Sequence, residues 1–202
     1  MLDGWARQYI DPPVDKIAQT LANAGATANG VTLTGFALGV AAAALIAYGF
    51  LWLGLVLILV SRVADALDGA VARAGNGASD FGGFLDITLD FAFYGLIPLA
   101  FIIADPASNA VPGAVLLLSF YVNGASFLAY AIMAEKRKFT ESPRGAKSLF
   151  YTTGLAEATE TITVFCLWCV FPQWFAPIAW VFAAIVFYTA FSRVMLARGD
   201  FA

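Results

Sequence analysis

The chain of 202 residues contains no histidine. Imidazole is therefore excluded as general base, nucleophile, metal ligand or phosphoryl carrier. Charge is also scarce. Charged residues make up 12% of the chain against 61% hydrophobic, where a soluble domain carries about a quarter charged residues. That balance excludes a water-soluble globular domain and reads as an integral membrane protein. Cysteine is limited to Cys166 and Cys169. With no second pair they cannot complete a zinc site, and in an apolar run they read as small buried side chains on a helix. Residues 1–27 lack a continuous apolar run, because Asp3, Arg7, Asp11, Asp15 and Lys16 interrupt it. A signal peptide is not expected there.

What the chain does have is apolar length. At about 20 residues per crossing, six spans fit, over 29–48, 51–73, 80–104, 111–133, 151–171 and 175–196. The expected fold is an all-α integral membrane protein: one domain over 1–202, with an interfacial amphipathic helix in 1–27 and a six-helix transmembrane bundle in 28–198. For the first helix, Asp11 can cap, Pro12 suits the first turn, Val14, Ile17, Leu21 and Ala24 repeat at helical spacing, and Gly25 ends it. Turns are expected at Gly49–Phe50, around Gly75 and Gly77, and over 105–109. All eleven Lys and Arg residues fall before the first span, near the second junction, in the loop after the fourth span, or at the end of the sixth. The positive-inside rule then puts both termini and the polar loop over 135–147 in the cytoplasm. Trp52, Trp168, Trp174 and Trp180 group toward the other side, as an interfacial belt would.

Residues 65–90 contradict this apolar background. Asp65, Asp68, Asp86 and Asp90 lie in or beside spans, where an unpaired carboxylate costs several kcal/mol. Asp65 and Asp68 are i and i+3, and Asp86 and Asp90 are i and i+4, so each pair shares a helix face. The helices that carry them are antiparallel neighbours, which lets the pairs face each other. Arg62 and Arg73 are the nearby cations, too few for a salt-bridge network of four acids. Two divalent cations would balance the charge, and hard oxygen ligands favour Mg²⁺ or Mn²⁺. Such a pair can clamp a phosphoryl group for in-line displacement. An acid-lined cation path, as in a transporter, is the non-enzymatic alternative. Gly69, Ala72 and Gly82 allow close approach of a ligand or helix, and the Arg73 fork suits phosphate or carboxylate.

The run Asp65-x2-Asp68-Gly69-x2-Ala72-Arg73-x8-Gly82-x3-Asp86-x3-Asp90 resembles, at every position, the signature of the CDP-alcohol phosphatidyltransferase family. The whole chain looks most like a proteobacterial branch of it. The resemblance implies an enzyme of phospholipid biosynthesis in the cell inner membrane, a homodimer with no nucleic-acid partner. Its reaction is attack of an alcohol hydroxyl on the phosphatidyl phosphorus of CDP-diacylglycerol, releasing CMP. Asp65, Asp68 and Asp86 would bind the two metals. Asp90 would touch a metal and take the hydroxyl proton. Asp68, Gly69, Ala72, Arg73 and Gly82 would line the CDP site. Asn29 and Thr32 match a Pro-Asn-x-x-Thr element near the pyrophosphate, although Ala28 stands in place of its proline. For close helix packing in a dimer, the fourth span offers Gly113, Gly124 and Ser126.

The acceptor is decided elsewhere. Glu157 and Glu160 share a face at the start of the fifth span, in a segment similar to one where inositol-phosphate-using relatives carry arginines. Here Ala158 and Thr161 take the arginine positions. Two glutamates repel a phosphorylated acceptor at close range, which favours a small non-phosphorylated alcohol. Lys136, Arg137, Lys138, Arg144, Lys147 and Arg193 argue the other way, as cations able to hold a phosphate or anionic lipid. A phosphatidylglycerophosphate or phosphatidylinositol-phosphate synthase is therefore the alternative enzyme.

Overall fold

The computed structural model describes residues 14–75, 79–137 and 158–201. The described residues form seven α-helices and one 3-10 turn, with no strand among them: α1 over 14–23, α2 Ala28–Ala47, α3 Leu51–Ala74, α4 Asp80–Ala104, α5 Pro106–Lys136, α6 Ala158–Val170, the turn Pro172–Trp174 and α7 Phe175–Phe201.

The ends of the first helices follow from local chemistry. Gly25 and Gly49 both adopt φ 86°, a left-handed conformation that costs glycine nothing. At each, the following amide reaches back to satisfy a carbonyl of the last turn: Ala26 N–H donates to Leu21 O, and Phe50 N–H to Leu45 O. The same C-terminal motif therefore stops α1 and α2. Thr27 and Ser79 cap the starts of α2 and α4, their side-chain oxygens accepting from Gly30 N and Gly82 N.

Four helical stretches among the described residues are long and apolar enough to cross a membrane: Ala28–Ala47, Asp80–Ala104, Pro106–Lys136 and Pro172–Phe201. Helix α3 has the length, at 24 residues, but carries Arg62, Asp65, Asp68 and Arg73. Helix α6 has 13 described residues. Apolar side chains such as Leu53, Val56 and Val63 on α3, Val111 and Leu118 on α5, and Val181 and Phe191 on α7 are exposed. A surface this apolar on every face suits lipid.

Helix α2 packs against α3 and α4, α5 against α4 and α7, and α3 also touches α6. Gly35 and Gly39, spaced as a small-xxx-small pair, carry the close approach. A Cβ on Gly35 would lie 3.1 Å from Ala64 Cβ, and one on Gly39 2.6 Å from Phe93 Cδ2. Helix α1 lies on α3, with Ala18 fully buried and Val14, Leu21 and Ala22 beside Leu67, Ala70 and Val71. Ile17, expected on the same face, is half exposed.

Three expectations are corrected. The segment 106–109 is the first turn of α5 rather than a loop. Asp105 accepts from Ser108 N at 3.2 Å, Pro106 opens the helix, and Asn109 Nδ2 donates to Phe101 O at 2.9 Å, closing the end of α4. Trp168 is not part of an interfacial belt. It is fully buried among Phe101, Phe165 and Phe175, with ring centroids 5.8, 5.6 and 4.6 Å away; Trp52, Trp174 and Trp180 are exposed as expected. Finally, Gly113, Gly124 and Ser126 are occupied within the chain. A Cβ on Gly113 would strike Ile102, one on Gly124 would strike Phe91, and the Ser126 hydroxyl donates to Asn123 O.

Candidate active site

Asp65 and Asp68 sit on the last turns of α3 and Asp86 on the second turn of α4. The three carboxylates each bring an oxygen within 4.8 Å of the others. Asp68 is the most buried of them and accepts a hydrogen bond from the Thr32 hydroxyl of α2 at 2.6 Å. The hard, all-oxygen donor set and its spacing fit one small divalent cation directly.

Asp90, the fourth acid expected in this group, lies beside the three and is joined to Asp65 through Arg62. Its Oδ1 lies 2.7 Å from Arg62 Nη1, which also lies 3.3 Å from Asp65 Oδ1. The charge count that asked for two metals is changed by this guanidinium: four carboxylates and one arginine carry −3 rather than −4. Arg62 is held over the face of Phe93, 3.8 Å from the ring centroid. Its Nη2 lies 3.3 Å from Ser61 Oγ, and that hydroxyl donates to Gly35 O at 2.7 Å.

Above the carboxylates opens a cavity of about 500 Å³. Its walls include Asn29, Thr32, Asp68, Gly69, Ala72 and Gly82, six of the seven residues expected to line a nucleotide site. The seventh, Arg73, is outside the lining; its Nη2 pairs with Asp15 Oδ1 at 3.6 Å, with both side chains largely exposed, an interaction worth little. The capped starts of α2 (Thr27 to Asn29) and α4 (Ser79 to Gly83) both border the cavity. Two helix N-termini at one opening present positive dipole ends, a setting suited to phosphate. Gly82 makes this possible, since a Cβ there would lie 2.9 Å from Asn29 Oδ1.

Of the residues expected at an acceptor site, only Glu160 and Arg193 are among the described residues. Glu157, Arg144 and Lys147 lie outside the described residues, as does Lys138. Glu160 is half-buried in the first turn of α6. Arg193 turns its Nη1 toward α5, 3.0 Å from Asn123 O, 2.8 Å from Asn123 Oδ1 and 2.7 Å from Ser126 Oγ, and does not line the cavity. Arg137 donates to the Asp200 and Phe201 carbonyls at the end of α7. Sequence reasoning missed the roles of Ser61, Ser79 and Gly35–Gly39. The Gly-x3-Gly spacing and a serine immediately before an acid-led helix are the signals that reveal them.

Comparison with known proteins gives an independent line. Residues 25–191 match the family described as CDP-alcohol phosphatidyltransferase. The chain is 46% identical over 194 residues to "Inner membrane protein YnjF" of Escherichia coli (strain K12), covering 96% of this chain and 94% of that protein. It is 45% identical over 91 residues to the archaetidylinositol phosphate synthase of Methanothermobacter thermautotrophicus, covering 45% of this chain and 43% of that one. Among solved structures, it shares its fold with Mycobacterium tuberculosis phosphatidylinositol phosphate synthase with CDP-DAG bound, at TM-score 0.67 and 22% identity, covering 90% of this chain and 92% of that one. The same enzyme has been solved with manganese and citrate, at TM-score 0.66, 22% identity, and coverage of 90% and 87%.

Proposed function

Because the chain belongs to the CDP-alcohol phosphatidyltransferase family, we propose that it transfers a phosphatidyl group from CDP-diacylglycerol to the hydroxyl of a small phosphorylated alcohol and releases CMP. The observation that carries this is the position of Asp65, Asp68 and Asp86 beneath a cavity walled by small residues and two helix N-termini. The pyrophosphate would lie against the positive ends of α2 and α4, beside Thr27–Asn29 and Ser79–Gly83. Gly69 and Ala72 leave room for the nucleotide beside the carboxylates. Asp65, Asp68, Asp86 and Asp90 would hold two divalent cations, Mg²⁺ or Mn²⁺, which spread the charge of the transferring phosphoryl group. Thr32 holds Asp68 in place, and without metal Asp90 pairs with Arg62. Asp90 takes the proton of the acceptor hydroxyl as its oxygen forms the new bond to phosphorus, and the bond to CMP breaks. No residue among the described lining looks like an activated covalent nucleophile, which supports direct transfer.

The relatives that bear on the acceptor are named as synthases of inositol phosphate lipids. They support a phosphorylated acceptor over the neutral one that Glu157 and Glu160 suggested. The reading places six spans in the membrane, with α3 and the segment ending in α6 completing the set, both termini and the aspartates on the cytoplasmic side, α1 along the interface, and the chain as a homodimer. The test is CMP release from CDP-diacylglycerol with Mg²⁺ or Mn²⁺ across a panel of acceptors. Turnover with glycerol 3-phosphate or inositol phosphate, and not with glycerol, inositol or serine, is expected. Release that persists in chelator overturns the mechanism, and turnover confined to neutral acceptors overturns the acceptor assignment.

A further inference from the structure

Arg62 is not one of the signature positions, yet it is the cation placed among the four acids. Its side chain is 11% exposed. One nitrogen, Nη1, bridges Asp90 at 2.7 Å and Asp65 at 3.3 Å. The guanidinium lies over the Phe93 ring, while its Nε is buried with no hydrogen-bond partner among the described residues. A side chain built for a rigid structural network would satisfy that donor. Among the described residues the head group is held by charge and by stacking, with a 3.3 Å contact from Nη2 to Ser61 Oγ besides.

The consequence concerns order. Asp65, Asp68 and Asp86 converge, and among the described residues no arginine pairs with the last two, so a first divalent cation meets no competitor there beyond the edge of Asp65. A second cation needs Asp90, and Asp90 is already taken. We infer that Arg62 is a resident counter-cation that occupies the Asp65–Asp90 half of the site and competes with the second divalent cation. It is a positioning residue: it keeps Asp90 apart from the three-acid cluster until a stronger cation, or a substrate that brings one, displaces it. The two metal affinities are then unequal by construction. This rests on the metal-dependent reading above.

The experiment is a Mn²⁺ titration of the purified full-length protein in detergent, followed by electron paramagnetic resonance without nucleotide or acceptor. The wild type is expected to bind one ion tightly and a second weakly. Arg62→Met should tighten the second by at least about tenfold, because a positive charge a few ångströms away is removed, and leave the first within about threefold. Arg62→Lys, which keeps the charge, should retain the weak second site. In metal-free buffer Arg62→Met should melt below the wild type and gain more from Mn²⁺, since four carboxylates then face one another unbalanced. Should Arg62→Met not fold, Arg62→Gln, which retains a polar side chain over Phe93, gives the same readout. Asp68-dependent Mn²⁺ binding with both constants unchanged in Arg62→Met overturns this inference alone. Equal tightening in Arg62→Lys overturns it too, because charge is then not the cause. Absence of any Asp68-dependent Mn²⁺ binding overturns both it and the metal-dependent reading.

Discussion

The two ends of the helical bundle solve opposite problems. At one, Phe101, Phe165, Trp168 and Phe175 fill the space between α4, α6 and α7 with rings at 4.6–5.8 Å. At the other, α2, α3 and α4 meet through Gly35, Gly39, Ala64 and Gly82 and leave about 500 Å³ open. The aromatic end is held by many weak, undirected contacts. The aspartate end is held by a few directed ones, Thr32 to Asp68, Arg62 to Asp90 and Ser61 to Gly35. The difference shows where this protein carries stability and where it carries chemistry. Phe93 joins the two: one side of it meets Arg62, and its ring lies 6.3 Å from that of Phe165.

That division can be tested by substitutions, the largest effect first. Asp86→Asn should lower CMP release by about a thousandfold, since metal stabilisation of the transferring group is worth several kcal/mol. Its thermal unfolding should stay within a few degrees of the wild type; a protein that fails to fold would show that the carboxylates are structural. Trp168→Ala should do the reverse. It removes a fully buried ring and should cost about 3–5 kcal/mol of stability, read by denaturant unfolding in micelles. Activity per folded molecule should hold, and a selective loss of activity would erase the contrast between the ends.

Gly39→Ala is aimed at the junction. Its methyl group would meet the Phe93 ring at 2.6 Å, and overpacking of this kind costs about 1–3 kcal/mol. Because Phe93 supports Arg62, both unfolding temperature and turnover should fall, so an effect on one alone would separate what the structure couples. The smallest change is Thr32→Val, which removes the hydrogen bond to Asp68. Loss of such a supporting contact typically weakens metal binding about 10–100-fold. A Mn²⁺ titration with unchanged affinity would place the Thr32 bond outside the metal site.

Much of the aspartate end was legible in the residues. The i, i+3 and i, i+4 spacings put each pair on one face, and the short junction between α3 and α4 made them neighbours. Gly25 and Gly49 announced two helix ends because only a residue without Cβ adopts that conformation freely. The partner of Asp90 was not legible. Arg62 lies 28 positions away in the chain, and nothing local says whether its guanidinium turns to solvent, lipid or carboxylate. Trp168 shows the same limit: an aromatic near a span end suits an interfacial belt equally well as a core, and only its neighbours on α4 and α7 decide. Gly113 and Gly124 could serve contact between chains or within one, and the bulk of Ile102 and Phe91 opposite them settled it.

The amino-acid sequence by itself determined that this chain is helical and membrane-embedded, and that four carboxylates at one depth need cations. Those conclusions rest on composition, periodicity and the cost of bare charge in an apolar medium, which act locally. Tertiary structure alone decided which cations the acids meet first. Three carboxylates turn to one another and the fourth to Arg62, because the glycine-faced packing of α2 on α3 and α4 brings Phe93 beneath that guanidinium and holds it there.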